Sequence, residues 1–196
     1  MNRCAVIGCG WAGRHHMETA AHSEFAELAA VVDPDENKRR AASERYGIPA
    51  YRTLEELLAS PTEFDTGIVA TLPGLHAEQC RLLIAAGKHI LCEKPVCRTS
   101  AEIAALKREA QQAGITFGVV FNQRYGAAVR RAKEMMEADG GTLHLITASM
   151  YQHWPTQTGG HVTGTFMITD ACCHLLDLMT YLCGPVQQVK AIAAKV

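Results

Sequence analysis

No stretch of this sequence is apolar enough for a membrane span, because Gly, Lys or Glu interrupts every hydrophobic run before about eighteen residues. The start lacks the features of a signal peptide, since its apolar stretch, Cys4 to Ile7, is short and leads into glycines. We therefore expect a cytoplasmic protein with no membrane partner.

The sequence also has no surplus of charge, since 19 basic side chains stand against 20 acidic ones, for a net charge of -1. Binding to a phosphate backbone needs a basic surplus or a basic face, so no nucleic-acid partner is expected. The 48% share of hydrophobic residues is typical of an ordinary globular protein, and 196 residues suffice for one full core and a smaller addition.

Metal-site spacing is missing too. The eight cysteines include no CxxC pair, and the nine histidines include no HxxxH or HExxH pair, so we predict no metal site. In a reducing compartment the cysteines are expected to be small hydrophobic residues of strands and helices.

What the sequence does contain, from residue 4 to about residue 121, is an alternation of short β-branched runs with amphipathic stretches of about three turns. This alternation is typical of βαβ units. The candidate strands are Cys4–Ile7, Leu28–Val32, Gly67–Thr71, His89–Cys92 and Ile115–Phe121. We predict an α/β fold in which residues 1–121 form a doubly wound parallel sheet of the Rossmann type, covered on both faces.

The helices between these strands have recognisable ends. Thr53 with Glu56, and Thr99 with Glu102, have the spacing of a capping box, in which side chains satisfy free backbone amides. Helix-terminating glycines are expected at Gly47, Gly87 and Gly114. In the helix after Ser100, the stripe expected to pack on the sheet consists of Ile103, Leu106, Ala110 and Ala113.

Residues 122–196 have a different pattern and are predicted to form the opening part of an α+β second domain. The predicted elements are a helix over 127–138, a strand over 143–151, a helix over 167–182 and a strand over 186–196. The predicted domains are therefore residues 1–121 and residues 122–196.

The first motif with chemical meaning is Gly8, Gly10 and Gly13 in GCGWAG, between the first strand and a helix that begins near Trp11. Glycines there permit a tight turn and a close approach to a pyrophosphate, which the helix N-terminus attracts. Asp33 ends the next strand, twenty residues after Gly13, where a carboxylate would accept hydrogen bonds from the adenosine ribose. A glycine turn without a ligand is the alternative.

The choice of dinucleotide depends on the same region. Asp33 favours NAD, because a carboxylate repels a 2′-phosphate. Lys38, Arg39 and Arg40 follow closely, so NADP stays an alternative, although we prefer to interpret them as a solvated helix face.

The second motif is Glu93, Lys94 and Pro95, at the carboxyl end of the strand HILC. The carboxyl ends of parallel strands are where α/β sheets hold ligands. A lysine there can stabilise an alkoxide as it forms, and the alternative is an ordinary surface lysine.

The third motif, TDACCHLLD, places Asp170 and His174 four residues apart on a predicted helix, hence on one face, and Asp177 extends the row. A carboxylate can orient an imidazole, whose ordinary pKa suits proton exchange with an alcohol at neutral pH. A half-buried histidine beside a surface aspartate is the alternative.

Together these motifs resemble the Gfo/Idh/MocA family of glucose-fructose oxidoreductases and inositol dehydrogenases. The stretches TLPGLHAE at 71–78 and NQRY at 122–125 add to the resemblance. It implies that Lys94, Asp170 and His174 are catalytic. The cofactor contacts that it implies are Gly8, Gly10, Trp11, Ala12, Gly13, Asp33, Thr71, Pro73, His76, Glu93 and Lys94.

The resemblance further implies an NAD(P)-dependent oxidoreductase that acts on a secondary alcohol of a sugar, cyclitol or related polyol. Substrate contacts are expected from Lys94, Asp170 and His174, with Arg124, Tyr125, His153 and Trp154 as further candidates. The alternative for these four residues is a polar linker and an exposed loop. Family members usually continue into more strands of an open sheet, so a homo-oligomer or a partner that completes the second domain is expected. The alternatives are a dinucleotide-binding regulator or scaffold without catalysis, and a Rossmann-type methyltransferase or nucleotide-sugar enzyme.

Overall fold

The computed structural model describes residues 1–140, 143–150 and 172–192. The chain divides into two compact units, Met1–Val120 and Phe121–Val196. The strands of the first unit are β1 (Asn2–Ile7), β2 (Ala26–Val32), β3 (Ala50–Tyr51), β4 (Thr66–Val69), β5 (His89–Cys92) and β6 (Phe117–Val119). Its helices are α1 (Trp11–Ala21), α2 (Glu36–Tyr46), α3 (Leu54–Leu58), α4 (His76–Ala85) and α5 (Ser100–Gln112), with a 3-10 turn at Pro73–Leu75.

The six strands form one parallel sheet in the order β3-β2-β1-β4-β5-β6. This order confirms the predicted doubly wound sheet. The chain reverses its direction of winding between β1 and β4, so the carboxyl ends of these two strands flank the crevice where such sheets bind ligands.

Two apolar clusters cover the sheet. Alternate residues of β1 belong to different clusters: Val6 packs with Met17 of α1 and Ala42 of α2, whereas Ile7 packs with Leu83 of α4 and Leu106 of α5. Because successive side chains of a strand point to opposite faces, α1 and α2 cover one face of the sheet and α3, α4 and α5 cover the other.

Most of the predicted helix ends are confirmed by the structure. Thr53 accepts a hydrogen bond from the Glu56 amide and Thr99 accepts one from the Glu102 amide, which confirms both caps. The carboxylate of Glu56 accepts from the amide of Arg52, one residue earlier than a capping box predicts. The predicted terminating glycines all have positive φ, and they are Gly47, Gly87 and Gly114.

The structure corrects several details predicted for the first unit: β6 covers Phe117–Val119 instead of residues 115–121, and β1 and β2 each begin two residues earlier than predicted. The strand β3 has only two residues, too few for a hydrophobic period, and was not predicted. The strand β4 ends at Val69, two residues earlier than predicted. On α5, Leu106 and Ala110 are buried, but Ile103 is 38% exposed and Ala113 is exposed, because they lie in the first turn and at the C-cap.

The described part of the second unit contains a 3-10 turn (Asn122–Tyr125), α6 (Ala127–Asp139) and α7 (Cys172–Cys183). Residues 143–150 and 184–192 form no strand, which corrects the two strands predicted there. A strand needs a neighbour to satisfy its backbone groups, and no other strand exists in the described part of this unit. Residues 167–171 of the predicted helix lie outside the described residues, as does the end of each predicted strand.

Among the described residues, no helix is both long and apolar enough to cross a membrane.

Candidate functional site

The turn between β1 and α1 requires glycine at two positions. Gly8 has φ +102°, and a Cβ built there would lie 2.5 Å from the carbonyl oxygen of Ala70. A Cβ built on Gly13 would lie 1.7 Å from the carbonyl oxygen of Gly8. The backbone of the turn therefore lies directly against α1 and against the end of β4, where a side chain could not fit.

The N-terminus of α1 faces open space. Gly10 is the N-cap residue and offers no side chain to the free amides of the first turn, and a Cβ built on it would meet nothing within 4 Å. Trp11 and Ala12 follow in the first turn. The Trp11 residue is 74% exposed, and its ring packs edge-to-face with that of His15, with the ring centroids 4.5 Å apart. Uncapped amides beside an open volume fit a pyrophosphate, so the residues present suit a dinucleotide.

Asp33 ties this turn to the end of β2. Its carboxylate accepts hydrogen bonds from the amide of Cys9 (2.7 Å) and the amide of Asp35 (2.9 Å), and the residue is only 7% exposed. An ionised carboxylate has about four acceptor positions, so two are left for ribose hydroxyls. Burial, helped by the negative charge of Asp33, raises the pKa of the Cys9 thiol to about 12, which makes this thiol inert at neutral pH.

The three consecutive basic residues of α2, Lys38, Arg39 and Arg40, all have polar partners. Lys38 lies 3.7 Å from the carboxylate of Asp35, and Arg40 lies 3.9 Å from that of Glu44. Arg39 donates instead to the backbone carbonyls of Asp33 (2.8 Å) and Pro34 (3.3 Å). Lys38 and Arg40 thus belong to a solvated helix face, whereas Arg39 stabilises the end of β2.

The segment after β4 is held by side-chain hydrogen bonds. The Thr71 hydroxyl donates to the amide oxygen of Gln79 (2.6 Å), and Pro73 begins the exposed 3-10 turn. His76 is 1% exposed; its Nδ1 lies 2.9 Å from the carbonyl oxygen of Pro95 and its Nε2 lies 3.1 Å from that of Thr71. The structure therefore brings the TLPGLHAE and EKP segments together, and the direct cofactor contacts of these residues stay predictions.

The EKP segment directly follows β5. The Glu93 amide donates to the carbonyl of Val69, and its carboxylate lies 2.9 Å from Nε2 of His16, with both side chains 17% exposed. Burial alone would raise the pKa of Glu93, but the hydrogen bond and charge of His16, with a smaller contribution from Lys94, lower it below its ordinary value. Lys94 is half-buried and is joined to Pro95 by a cis peptide bond.

Sequence reasoning missed His16. It lies 77 residues from Glu93, and no local pattern predicts a contact between side chains so far apart in sequence. The available signal was its place on α1, one turn after Gly13, because α1 begins at the same edge of the sheet where EKP ends.

The second unit contains an ion pair between Arg124 and the buried carboxylate of Asp177, which lies on the same helix as His174. Arg124 donates from Nε to Asp177 (2.7 Å) and from its terminal nitrogen to the other carboxylate oxygen, and the Asp177 side chain is 7% exposed. The Arg124 guanidinium also lies over the ring of Tyr181, and the ring of Phe121 meets that of His174 edge-on at 6.0 Å. Tyr125 is 76% exposed. Asp170, His153 and Trp154 lie outside the described residues.

Comparison with known families agrees with this geometry. The profile described as "Oxidoreductase family, NAD-binding Rossmann fold" matches residues 2–121, and that described as "GFO/IDH/MocA C-terminal domain" matches residues 129–196.

Two curated relatives illustrate the similarity. D-apiose dehydrogenase of Paraburkholderia graminis is 28% identical over 198 residues, which cover 98% of this chain and 52% of that protein. Myo-inositol 2-dehydrogenase of Thermotoga maritima is 27% identical over 186 residues, which cover 93% of this chain and 55% of that protein. The chain spans about half the length of the curated relatives it matches.

A solved structure extends the comparison to bound ligands. The WlbA dehydrogenase of Chromobacterium violaceum, in complex with NADH and UDP-GlcNAcA, superposes with a TM-score of 0.85 at 27% identity over 94% of this chain and 56% of that chain.

Proposed function

Because this chain belongs to the Gfo/Idh/MocA oxidoreductase family, we propose that it takes part in the NAD(P)-dependent interconversion of a secondary alcohol and a ketone of a sugar, cyclitol or related polyol. The observation that supports this most directly is the glycine turn, with its uncapped helix N-terminus and open volume at Gly10, beside the carboxylate of Asp33. Asp33 favours NAD as the cofactor, with NADP as the alternative.

Each predicted catalytic residue has one role in this proposal. His174 takes the proton of the substrate hydroxyl, Lys94 stabilises the oxyanion that develops, and Asp170 orients and charge-compensates the pair. The bound nicotinamide supplies the hydride chemistry. Arg124, which already donates to Asp177, and Trp154 are proposed to line the substrate site.

Substrate assays follow a binding measurement. NADH fluorescence titration comes first, followed by turnover with NAD⁺ or NADP⁺ on a panel of inositols, aldoses and UDP-sugars. The UDP-sugars are included because the similar WlbA dehydrogenase was solved with UDP-GlcNAcA. Turnover of any compound in the panel supports the proposal. NADH binding with no turnover of any compound favours a regulator or scaffold.

Lys94→Ala tests the role of the lysine. We expect turnover to fall by about 100-fold or more, because one donor to a developing oxyanion is worth that much, while NADH affinity stays near the wild-type value. Lys107→Ala, which removes an exposed lysine of α5, is the matched control. Near-normal turnover of Lys94→Ala would remove this residue from the mechanism.

We further propose that the second unit functions within a homo-oligomer. Among its described residues, several large apolar side chains are exposed, including Met135, Leu145 and Leu176, and such exposure is typical of an interaction surface. Light scattering during size-exclusion chromatography would reveal the dimer or larger assembly expected, and a monomer at all concentrations would contradict it.

A further inference from the structure

Imidazole rings contact the loop of residues 93–95 at both of its ends. His16 meets the Glu93 carboxylate on one side of Lys94, and His76 meets the Pro95 carbonyl on the other. We propose that His16 and His76 are positioning residues that fix the backbone from which Lys94 extends. The inference rests on the proposed function, because it takes Lys94 to be the group that meets the substrate oxygen.

The contact from α1 is a charge-assisted one. Glu93 is 17% exposed, and a carboxylate with so little water needs a partner that donates to it. Nε2 of His16 provides this donor to one oxygen at 2.9 Å, and the amide of Lys94 donates to the other at 3.3 Å. The carboxylate thereby joins the first helix of the sheet to the backbone of Lys94 itself.

The contact from α4 is buried. His76 is 1% exposed and places a ring nitrogen within hydrogen-bond distance of each of two carbonyl oxygens, which can only accept. A ring nitrogen donates to a carbonyl only when it carries a proton. The contact of Nδ1 with Pro95 (2.9 Å) is shorter than that of Nε2 with Thr71 (3.1 Å), and it is the one that joins α4 to the loop of residues 93–95. A side chain that only filled space would not need nitrogens at these two positions.

These contacts are relevant to Lys94 because its own side chain is long and flexible. Four rotatable bonds separate the ammonium group from the backbone, so the position of the backbone determines the region that the ammonium group can reach. The backbone amide of Glu93 is already held by Val69, and the two imidazoles add restraints on the residues before and after Lys94. Displacement of a reacting group by about 1 Å can lower a rate about 100-fold.

The two histidines use different nitrogens, which permits a reciprocal test. The side-chain amide nitrogen of Gln replaces Nε2, whereas that of Asn replaces Nδ1. His16→Gln therefore keeps the contact with Glu93 and His16→Asn loses it. His76→Asn keeps the contact with Pro95 and His76→Gln loses it. The same two substitutions thus have opposite expected rankings at the two positions.

We expect His16→Asn to lower kcat by about 10- to 100-fold, with the KM for cofactor little changed, while His16→Gln largely restores it. At position 76, which is itself a predicted cofactor contact, we expect a lower kcat for His76→Gln than for His76→Asn. Hydrogen exchange of a peptide over residues 92–98 should accelerate in the two variants that lose the contact and in neither of the others. The same pair of substitutions at His22, which is exposed on the far end of α1, is the control and should change neither readout.

An equal effect of Asn and Gln at both positions, or the same ranking at both, would overturn the proposal. If neither variant at position 76 folds, the two His16 variants decide the test, because the His16 side chain is only partly buried. Absence of turnover in the wild-type protein would contradict the proposed function alone, since the exchange readout would still show whether the loop is tethered as described.

Discussion

The two units of this chain are stabilised in different ways. In residues 1–120, apolar side chains fill both faces of a parallel sheet. In the described residues of the second unit, the buried side chain is Asp177, a carboxylate paired with Arg124. The first unit therefore depends on many apolar contacts, whereas the buried group in the described part of the second unit is a paired carboxylate.

The difference matters for function because both units contribute predicted catalytic residues. Lys94 extends from a loop that is anchored to a rigid sheet, whereas His174 lies on α7, whose buried contact is the ion pair one turn away. We therefore expect single substitutions to change the stability of the two units by different amounts.

The largest effect is expected from Arg124→Met. This substitution leaves the Asp177 carboxylate buried without its partner, which should destabilise α7 by about 3 kcal/mol. This value is at the lower end of the range for a broken buried pair, because the Arg124 side chain is 37% exposed. Faster hydrogen exchange over residues 172–183 measures the effect. The double variant with Asp177→Leu should recover most of the loss, since no buried charge remains. Equal exchange in the single variant and wild type would mean that the pair does not stabilise α7.

A smaller effect is expected in the glycine turn. Gly13→Ala places a methyl group against the Gly8 carbonyl and should destabilise the first unit by about 2 kcal/mol, the usual scale of overpacking. Gly10→Ala meets open space, so it should leave the urea midpoint unchanged while it weakens NADH binding. If Gly10→Ala bound NADH as tightly as wild type, the open volume would not be the pyrophosphate site.

The smallest effect concerns acid stability. Because the pKa of Glu93 is lowered in the folded protein, its ionised form stabilises the fold fully above the ordinary glutamate pKa of about 4.3, and this stabilisation is lost as pH falls through the lower folded-state value. Glu93→Gln should therefore be less stable than wild type near pH 6, by about 1 kcal/mol, and the difference should become smaller as the pH falls to 3. Urea unfolding at both pH values measures this. A constant difference across that range would contradict a role of the charge.

Much of the first unit could be predicted from the sequence because its signals are local. Unbroken apolar runs predicted β1, β2 and β5, and Thr53 and Thr99 were identified as caps from residues three positions further on. The contacts of His16 and His76 could not be predicted, since each joins residues that only the fold brings together.

The second unit was predicted less well from the sequence than the first. Residues 143–151 have the composition of a strand, but composition expresses only a tendency, and pairing with a neighbour decides whether a ladder forms. The pairing of Arg124 with Asp177 was likewise outside sequence reasoning, which assigned Arg124 to the substrate and Asp177 to the face of His174.

Asp33 finally has a consequence for cofactor engineering. Exchanging an acidic residue at this position is the obvious way to make a dehydrogenase accept a phosphorylated ribose. Here the same carboxylate also accepts hydrogen bonds from the amides of Cys9 and Asp35, so its removal would loosen both the glycine turn and the start of α2. A single substitution at Asp33 should therefore weaken affinity for both dinucleotides before it changes the preference between them.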